Sequence, residues 1–464
     1  MSENTWLKKT YQNAKEVVDR GLDKKIRIAV TGLSRAGKTA FITSFINQLL
    51  CVKENPNLPF FSLFKRGDFI GSKFQSYEDL HIPQFKYDEA MTRITTDPVS
   101  WPPSTSSVTQ SRLSIRYKVN NRWLKKIQDT SLLTIDIVDY PGEWLLDLPL
   151  LQMTYSQWVA QCDSWINKVP RKGLAKEFIE QLSEIQSHDK VSQQKIADIA
   201  ESYKKFLQRC KDSEQNMSLI QPGRFILPGE LLGAPVLDFF PLLIRTAAQD
   251  GVYQVLEERF NYYRDFIVRP FFKEYFAKVD RQIVLVDCLS TLNAGYESYK
   301  DMQFTLSQLL EGFNYGQSNW IKRIFNPTID KLMIVATKSD HVPPEQHRNL
   351  EAFLQSMLQQ TRNAIGYEGI ELETMAISSI NVTEPVIAEH DNKKLMCVRG
   401  REKKSGDMIV NYPGKIPDSP ITKEQWNTME FNFVEFDING IDTEILPHIR
   451  MDKVIEFLLG DKFS

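Results

Sequence analysis

Eight residues near the start of the chain have the types and spacing of a phosphate-binding loop. Residues 32–39 read G-L-S-R-A-G-K-T, which matches the pattern G-x-x-x-x-G-K-[ST]. A loop of this kind lets backbone N–H groups converge on a phosphate at the start of a helix. We expect Lys38 to reach the β- and γ-phosphates and the Thr39 hydroxyl to bind Mg²⁺. Further contacts with the nucleotide are expected from Gly32, Ser34, Arg35, Ala36, Gly37 and Ala40.

The residues on either side have the patterns of the strand and the helix that such a loop requires. Residues 26–30 (I-R-I-A-V) form a short apolar run typical of a buried strand. Residues 40–50 repeat apolar side chains at spacings of three and four, which predicts a helix. The chain is therefore predicted to bind a nucleoside phosphate.

A second motif, D-x-x-G, follows another predicted strand. Residues 132–138 (L-L-T-I-D-I-V) predict a buried strand antiparallel to one at 111–119, and Asp139 and Gly142 come directly after it. We expect Asp139 to hold Mg²⁺ and the Gly142 N–H to contact the γ-phosphate. Asp287 also ends a predicted strand and is a rival metal ligand, but no D-x-x-G follows it.

Several other residues are candidates for acting on the γ-phosphate. Glu143 occupies the position at which Ras-like proteins carry the glutamine that orients water. A carboxylate there can orient water but repels the phosphate, so we expect slow turnover that an arginine from this chain or a partner raises. Thr105, with Thr109 second, is our choice for the hydroxyl that senses the γ-phosphate and completes the Mg²⁺ shell. The arginine candidates are Arg35, Arg93, Arg399 and Arg401.

A third motif is expected to select the base. Thr337-Lys338-Ser339-Asp340 follows the apolar run 331–336 and resembles the guanine-reading [NT]-K-x-D element. A carboxylate can accept both the N1–H and the N2 amino hydrogen of guanine, a donor pair that adenine lacks. Asp340 is therefore expected to select GTP and GDP, with the Lys338 stem over the base. Ser378 and Ser379, which follow the next predicted strand, are expected to back the base.

The order of predicted elements indicates an α/β fold, a doubly wound P-loop sheet interrupted by a large helical insert. Asp139 and Asp340 are 201 residues apart in the sequence, which leaves room for that insert. A further helix is predicted at 5–20. The predicted parts are 1–150 and 276–464 for the nucleotide domain, 151–275 for the helical insert, and 395–420 for an appended hairpin or loop.

Composition excludes several classes of protein. The chain has 464 residues, 42% of them hydrophobic, with no apolar run long enough to span a membrane and no signal-peptide core. A net charge of −2 argues against bulk binding to nucleic acid. The five cysteines and six histidines are scattered without metal-binding or pairing patterns, which is typical of the reducing cytoplasm.

Specific strings of residues are spread over nearly the whole chain: residues 32–39, 137–149 (I-V-D-Y-P-G-E-W-L-L-D-L-P), 221–225 (Q-P-G-R-F), 259–263 (R-F-N-Y-Y), 281–288 (R-Q-I-V-L-V-D-C), 336–342 (A-T-K-S-D-H-V), 447–450 (P-H-I-R) and 457–462 (F-L-L-G-D-K). In these strings the chain resembles the YcjX-like family of bacterial P-loop GTPases. The resemblance implies a cytoplasmic protein that binds and hydrolyses GTP with Mg²⁺, carries a helical insert and takes part in bacterial stress responses. It names no substrate beyond GTP and no effector.

Three functions fit the motifs and stay open on the sequence. The first is a regulatory GTPase in which segment 90–110 responds to the γ-phosphate and signals to an unknown protein effector. The second is a kinase that moves phosphate from ATP to a small acceptor. The third is a scaffold that holds a nucleotide without hydrolysing it. The sequence leaves the oligomeric state undetermined.

Overall fold

A computed structural model gives the fold of the chain. The residues it describes are 24–33, 35–51, 57–77, 81–103, 107–120, 129–214, 216–243, 250–313, 329–367, 369–390, 392–441 and 443–463. Three sequence predictions lie outside the described residues: the helix at 5–20, Ser34 and Thr105.

A mostly parallel sheet of seven strands forms the centre of the molecule. Its spatial order is β2-β3-β4-β1-β5-β6-β7. β1 lies between β4 and β5 and is parallel to both, and β6 and β7 extend this parallel set. β3 runs antiparallel to β2 and β4. The strands are β1 Lys24–Gly32, β2 Phe69–Gln75, β3 Thr109–Lys118, β4 Thr130–Asp139, β5 Arg281–Val286, β6 Lys331–Ala336 and β7 Glu371–Ala376.

The predicted α/β class is confirmed, and so is the antiparallel pairing of the strands at 109–118 and 130–139. The interior strands are recognisable in the sequence because a strand covered on both faces is apolar throughout; every residue of β5 is buried. The edge strand β2 was not predicted. Its residues (F-I-G-S-K-F-Q) are half-exposed and do not alternate regularly between apolar and polar.

Helices occupy most of the connections between the strands. They are α1 Lys38–Leu50, α2 Ser62–Lys65, α3 Tyr87–Thr95, α4 Tyr155–Ile166, α5 Arg171–Leu174, α6 Lys176–Leu182, α7 Gln193–Asp212, α8 Gly251–Tyr262, α9 Arg269–Phe271, α10 Cys288–Ala294, α11 Tyr296–Phe313, α12 His347–Tyr367, α13 Lys423–Trp426 and α14 Met451–Leu459. Short 3₁₀ segments include Gly142–Gln152, and π-helical turns at Tyr263–Val268 and Phe272–Phe276 flank α9. Within the described ranges, no helix has the length and apolar character needed to cross a bilayer.

Apolar side chains cover both faces of the sheet. One hydrophobic cluster packs α1 and α14 against alternate strand residues such as Val30 and Ile137. The other face, with Ala29 and Val138, shares one continuous cluster with α4, α7, α8 and α11. The region predicted as a helical insert, 151–275, is thus helix-rich, and its core is continuous with that of the sheet. Its division from the nucleotide domain stays a prediction.

A small antiparallel sheet lies near the C-terminus, where the sequence analysis predicted a hairpin or loop at 395–420. β9 pairs with β8, β10 and β11. This sheet extends beyond the predicted limits on both sides because β8 and β11 lie outside them. Its strands are β8 Glu384–His390, β9 Lys393–Glu402, β10 Met408–Asn411 and β11 Phe436–Asp437.

Candidate functional site

The predicted phosphate-binding loop connects the end of β1 to the start of α1. Arg35 and Gly37 have φ angles of 64° and 74° in the left-handed region. A Cβ atom at Gly37 would meet nothing within 4 Å, so space does not require a glycine there. Glycine is favoured because it adopts the left-handed backbone angle without strain. The first amides of α1 have no partner within the helix, as at every helix start. The loop therefore presents backbone donors beside the carboxyl end of β1, where ligands of doubly wound sheets bind.

The side chains of Lys38, at the start of α1, and Asp139, at the end of β4, contact each other. The Lys38 amine lies 2.7 Å from Asp139 Oδ1 and donates a hydrogen bond to the Tyr140 carbonyl at 2.7 Å. Parallel pairing of β1 and β4 sets this contact by placing Asp139 beside Val30, just before the loop. The Asp139 side chain is 2% exposed. Apart from this ion pair, neither of its oxygens accepts a hydrogen bond from a described residue.

This geometry fits a Mg²⁺ ion held partly by the nucleotide. Mg²⁺ takes oxygen ligands and is usually held by one or two protein groups together with phosphates and water. Asp139 supplies a buried carboxylate that, apart from its ion pair with Lys38, accepts no hydrogen bond from a described residue. The hydroxyl of Thr39 donates to the Pro103 carbonyl at 3.1 Å. Within the described residues no cluster of three or more His, Cys, Asp or Glu side chains could hold a metal alone.

Gly142 packs directly on the loop. A Cβ atom at this position would lie 1.9 Å from the Gly32 carbonyl oxygen, so no side chain can be accommodated. The backbone of the D-x-x-G turn therefore touches the first residue of the phosphate-binding loop. Glycine is required here for the close approach of two backbones.

Glu143 does not face the cavity as an isolated carboxylate. Its Oε1 lies 2.8 Å from the amine of Lys211, in the last turn of α7. A Cβ at Gly223 would lie 1.9 Å from the Glu143 carbonyl oxygen, so another segment of the helical region packs on its backbone. Neither contact was predicted from the sequence, because Lys211 is one of many charged residues on an amphipathic helix.

The third motif follows β6. Ser339 N–H donates to the Ile377 carbonyl at 3.0 Å, which joins the motif to the end of β7. Asp340 is buried, and its Oδ2 accepts a hydrogen bond from Val382 N–H at 3.0 Å. Oδ1 accepts none from a described residue. Since a carboxylate oxygen has two lone pairs, both oxygens retain capacity for further donors.

Lys338 forms an ion pair with Asp287, which the sequence analysis gave as a rival metal ligand. Its amine lies 2.6 Å from Asp287 Oδ2 and 3.6 Å from Glu435 Oε1. Burial opposes the charge, but these carboxylates hold the pKa of Lys338 above its usual value. Asp287 also caps α10 by accepting from Ser290 N–H at 3.0 Å. The rival metal ligand therefore lies against Lys338, whereas Asp139 is the carboxylate next to Lys38.

Glu435 comes from the small sheet and was not predicted. Burial disfavours its ionised form, yet Lys338 and Lys403 bring the pKa of Glu435 down to about 2. Lys403 lies 2.9 Å from it. Next to it, Phe436 makes an edge contact with the His341 ring, with centroids 5.2 Å apart. Since Glu435 and Lys403 are far from every motif in sequence, only their position in the fold identifies them.

One cavity of about 690 Å³ joins these elements. Its volume is in the range of small-molecule sites. It is lined by the phosphate-binding loop, by Gly142, Glu143 and Lys211, and by Asp340. The predicted site residues that line it are Gly32, Arg35, Ala36, Gly37, Lys38, Thr39, Ala40, Gly142, Glu143, Thr337, Lys338, Asp340, Ser378 and Ser379.

Of the four candidate arginines, Arg35 lines this cavity. Arg93 pairs with Glu89 along α3, and Arg399 pairs with Glu384 across β8 and β9. Arg401 donates to the Asn439 side chain at 3.3 Å. Thr109, the second choice for the sensing hydroxyl, lies opposite Asp139 in the β3–β4 pairing, and its buried hydroxyl has no partner among the described residues.

The chain matches the model of the YcjX-like family over residues 26–463. A protein of Escherichia coli named Ras-like GTPase YcjX is 40% identical over 468 aligned positions, which cover 98% of this chain and 100% of that protein. A protein of Shewanella oneidensis with the same name is 36% identical over 480 positions, covering 99% of each. This chain belongs to the YcjX-like family.

Proposed function

We propose that the protein binds GTP with Mg²⁺ and hydrolyses it to GDP and phosphate. The observation that carries the proposal is the shared cavity, which both Lys38 and Asp340 line. A nucleoside triphosphate needs a phosphate site and a base site within one nucleotide's length. The names of the two relatives, Ras-like GTPase, support the same function.

The phosphates lie on the loop amides and the start of α1 in this proposal. Lys38, which pairs with Asp139 in the structure, contacts the β- and γ-phosphate oxygens. Thr39 and Asp139 hold Mg²⁺, which when bound supplies positive charge to the phosphate oxygens. The buried oxygens of Asp139, which accept no hydrogen bond from the described residues beyond the ion pair with Lys38, fit this role. Thr105 or another hydroxyl of segment 104–109 completes the shell.

The base lies between the third motif and the loop after β7. Asp340 accepts the N1–H and the N2 amino hydrogen of guanine, and Ser378 and Ser379 back the ring. Lys338 was expected to lay its stem over the base. That role requires only the aliphatic stem, so it is compatible with an amine bound to Asp287.

Hydrolysis proceeds by attack of water on the γ-phosphorus. Glu143 orients the water, the bond from the γ-phosphorus to the β–γ bridging oxygen breaks, and its electrons remain on GDP. The proton that the water loses leaves with the released phosphate. The loop amides and Lys38 stabilise the charge on the transferring group. A carboxylate beside the γ-phosphate makes the intrinsic reaction slow.

We further propose that this GTPase acts in the cytoplasm as a regulatory switch of a bacterial stress response. Segment 90–110 contributes Trp101 and Pro102 to the cavity, which supports its proposed response to the γ-phosphate. The helical region contacts the backbone of Glu143, which directly follows the D-x-x-G turn, through Gly223. Pull-down of binding proteins with the GTP-loaded and GDP-loaded forms tests the switch, and identical sets of partners would contradict it.

Competition between GTP, GDP and ATP tests the proposed substrate. We expect GTP and GDP to displace a fluorescent guanine nucleotide and ATP to fail. A preference for ATP would instead support the small-molecule kinase.

Phosphate release by wild type and Lys38→Ala tests hydrolysis, with the exposed lysine variant Lys205→Ala as the control. We expect Lys38→Ala to abolish turnover and the control to retain it. Tight GTP binding without turnover in any condition would support the scaffold.

A further inference from the structure

Lys211 occupies a position that the proposed chemistry leaves without a role. It belongs to α7, 68 residues after Glu143 in the sequence, yet its amine lies 2.8 Å from the Glu143 carboxylate. Both residues line the cavity that contains Lys38 and Gly142. The two side chains are 17% and 10% exposed, so solvent and salt screen this pair less than a surface ion pair.

The fold holds Lys211 in place. The preceding residue, Cys210, is completely buried in the helical core, and its carbonyl accepts a hydrogen bond from Met217 N–H at 3.1 Å. Asn216, in the following turn, donates to the Ser290 hydroxyl at 3.1 Å. The end of α7 is therefore attached both to the helical core and to α10, which follows β5.

Glu143 is held from two sides by the same region. Lys211 binds its side chain, and Gly223 packs on its backbone without room for a Cβ. An unpaired carboxylate would repel both the γ-phosphate and the extra negative charge that develops there. A lysine within ion-pair distance offsets that repulsion and restricts the directions in which the carboxylate can point.

We propose that Lys211 is a positioning residue for hydrolysis, supplied by the helical region of the same chain. It neutralises Glu143 and orients its carboxylate toward the attacking water. This inference rests on the proposed GTPase function. It explains how a carboxylate can occupy the position at which Ras-like proteins carry glutamine.

The test measures GTP turnover and nucleotide affinity in a double-mutant cycle of Lys211→Met and Glu143→Gln. If Lys211 acts through Glu143, Lys211→Met lowers kcat about 100-fold in the wild-type background, with KM within about twofold. In the Glu143→Gln background the same change lowers kcat by less than about threefold, because no carboxylate remains to be neutralised. Lys211→Arg should restore kcat to within about tenfold of wild type.

Lys205→Met is the matched control, since this exposed lysine lies on the same helix. Lys211→Met leaves the buried Glu143 carboxylate unpaired and lowers Tm, whereas the double variant removes that charge and should recover Tm. Because the double variant is expected to be as stable as wild type, its kcat can be compared with that of Glu143→Gln without an effect of unfolding.

Two results would overturn the inference about Lys211 but not the proposed function, provided that the wild type hydrolyses GTP. The first is a wild-type kcat in Lys211→Met. The second is an equal loss of kcat from Lys211→Met in the wild-type and Glu143→Gln backgrounds. A wild type that binds GTP but never releases phosphate would overturn the proposed function as well.

Discussion

The carboxylate of Asp340 accepts a hydrogen bond from the backbone N–H of Val382, with 3.0 Å between Oδ2 and nitrogen. In turn, the Thr383 hydroxyl donates to the Asp340 carbonyl at 2.5 Å. The loop after β7 thus orients the aspartate of the third motif through two contacts. A carboxylate held in this way loses little side-chain freedom when it binds a ligand.

Asp340→Asn should change the preferred base from guanine to xanthine. An amide offers one acceptor and one donor, so it loses a hydrogen bond to the guanine amino group but can donate to the xanthine O2. Loss of a hydrogen bond to a charged group corresponds to about 10- to 100-fold weaker GTP binding. Competition binding with GTP and XTP measures the change. Equal weakening for both nucleotides would contradict the predicted contact.

Asp139→Asn should raise the Mg²⁺ concentration at which turnover is half-maximal. The amide removes a buried anionic oxygen next to Lys38, and losing several kcal/mol of charge stabilisation corresponds to at least about 100-fold in kcat. Turnover measured across a Mg²⁺ titration checks this. The exposed residue Asp198 provides the control, Asp198→Asn. An unchanged Mg²⁺ midpoint with normal turnover would exclude Asp139 as the ligand.

Gly142→Ala should separate the D-x-x-G turn from the phosphate-binding loop. The added Cβ would overlap the Gly32 carbonyl, so one backbone must move at a cost of about 1–3 kcal/mol in the free energy of unfolding. GTP turnover should fall at the same time. Chemical denaturation and phosphate release measure the two effects. Gly173→Ala is a suitable control because its Cβ meets nothing within 4 Å, and it should be neutral or slightly stabilising.

Asp147 should make stability depend on pH. Burial raises the pKa of this carboxyl to about 6, although Tyr263 and the Gly223 N–H donate hydrogen bonds to it. In the unfolded chain its pKa is about 3.9, so between these values the native state holds a proton that the unfolded state has lost. The stabilisation that protonated Asp147 gives the native state is complete below about pH 4 and is lost as the pH rises through about 6.

Urea unfolding of wild type and Asp147→Asn at pH 5 and pH 7.5 isolates this effect. The difference in unfolding free energy between the two proteins should be larger at pH 5, in favour of wild type, by about 1 kcal/mol. Other titrating groups cancel in the comparison. A difference independent of pH would contradict the raised pKa.

Much of the sheet could be predicted because local sequence dictates it. Apolar runs such as 331–336 indicate strands buried on both faces, and the glycines and lysine of residues 32–39 specify a strand–loop–helix unit. The edge strand β2 could not be predicted, since its half-exposed side chains lack a regular pattern. The small sheet was underestimated for a related reason: β11 has only two residues.

The sequence by itself determined the three motifs, their order and the α/β class, since each motif depends on a few consecutive residues and the backbone they adopt. Only the tertiary structure decided which charges meet in the cavity. Lys211 and Glu435 line it from separate segments, and Asp287 pairs with Lys338, which also lines it, because packing on the two sheet faces brings distant helices and strands together. Pairing between such segments depends on long-range contacts, which leave no local pattern of spacing or composition.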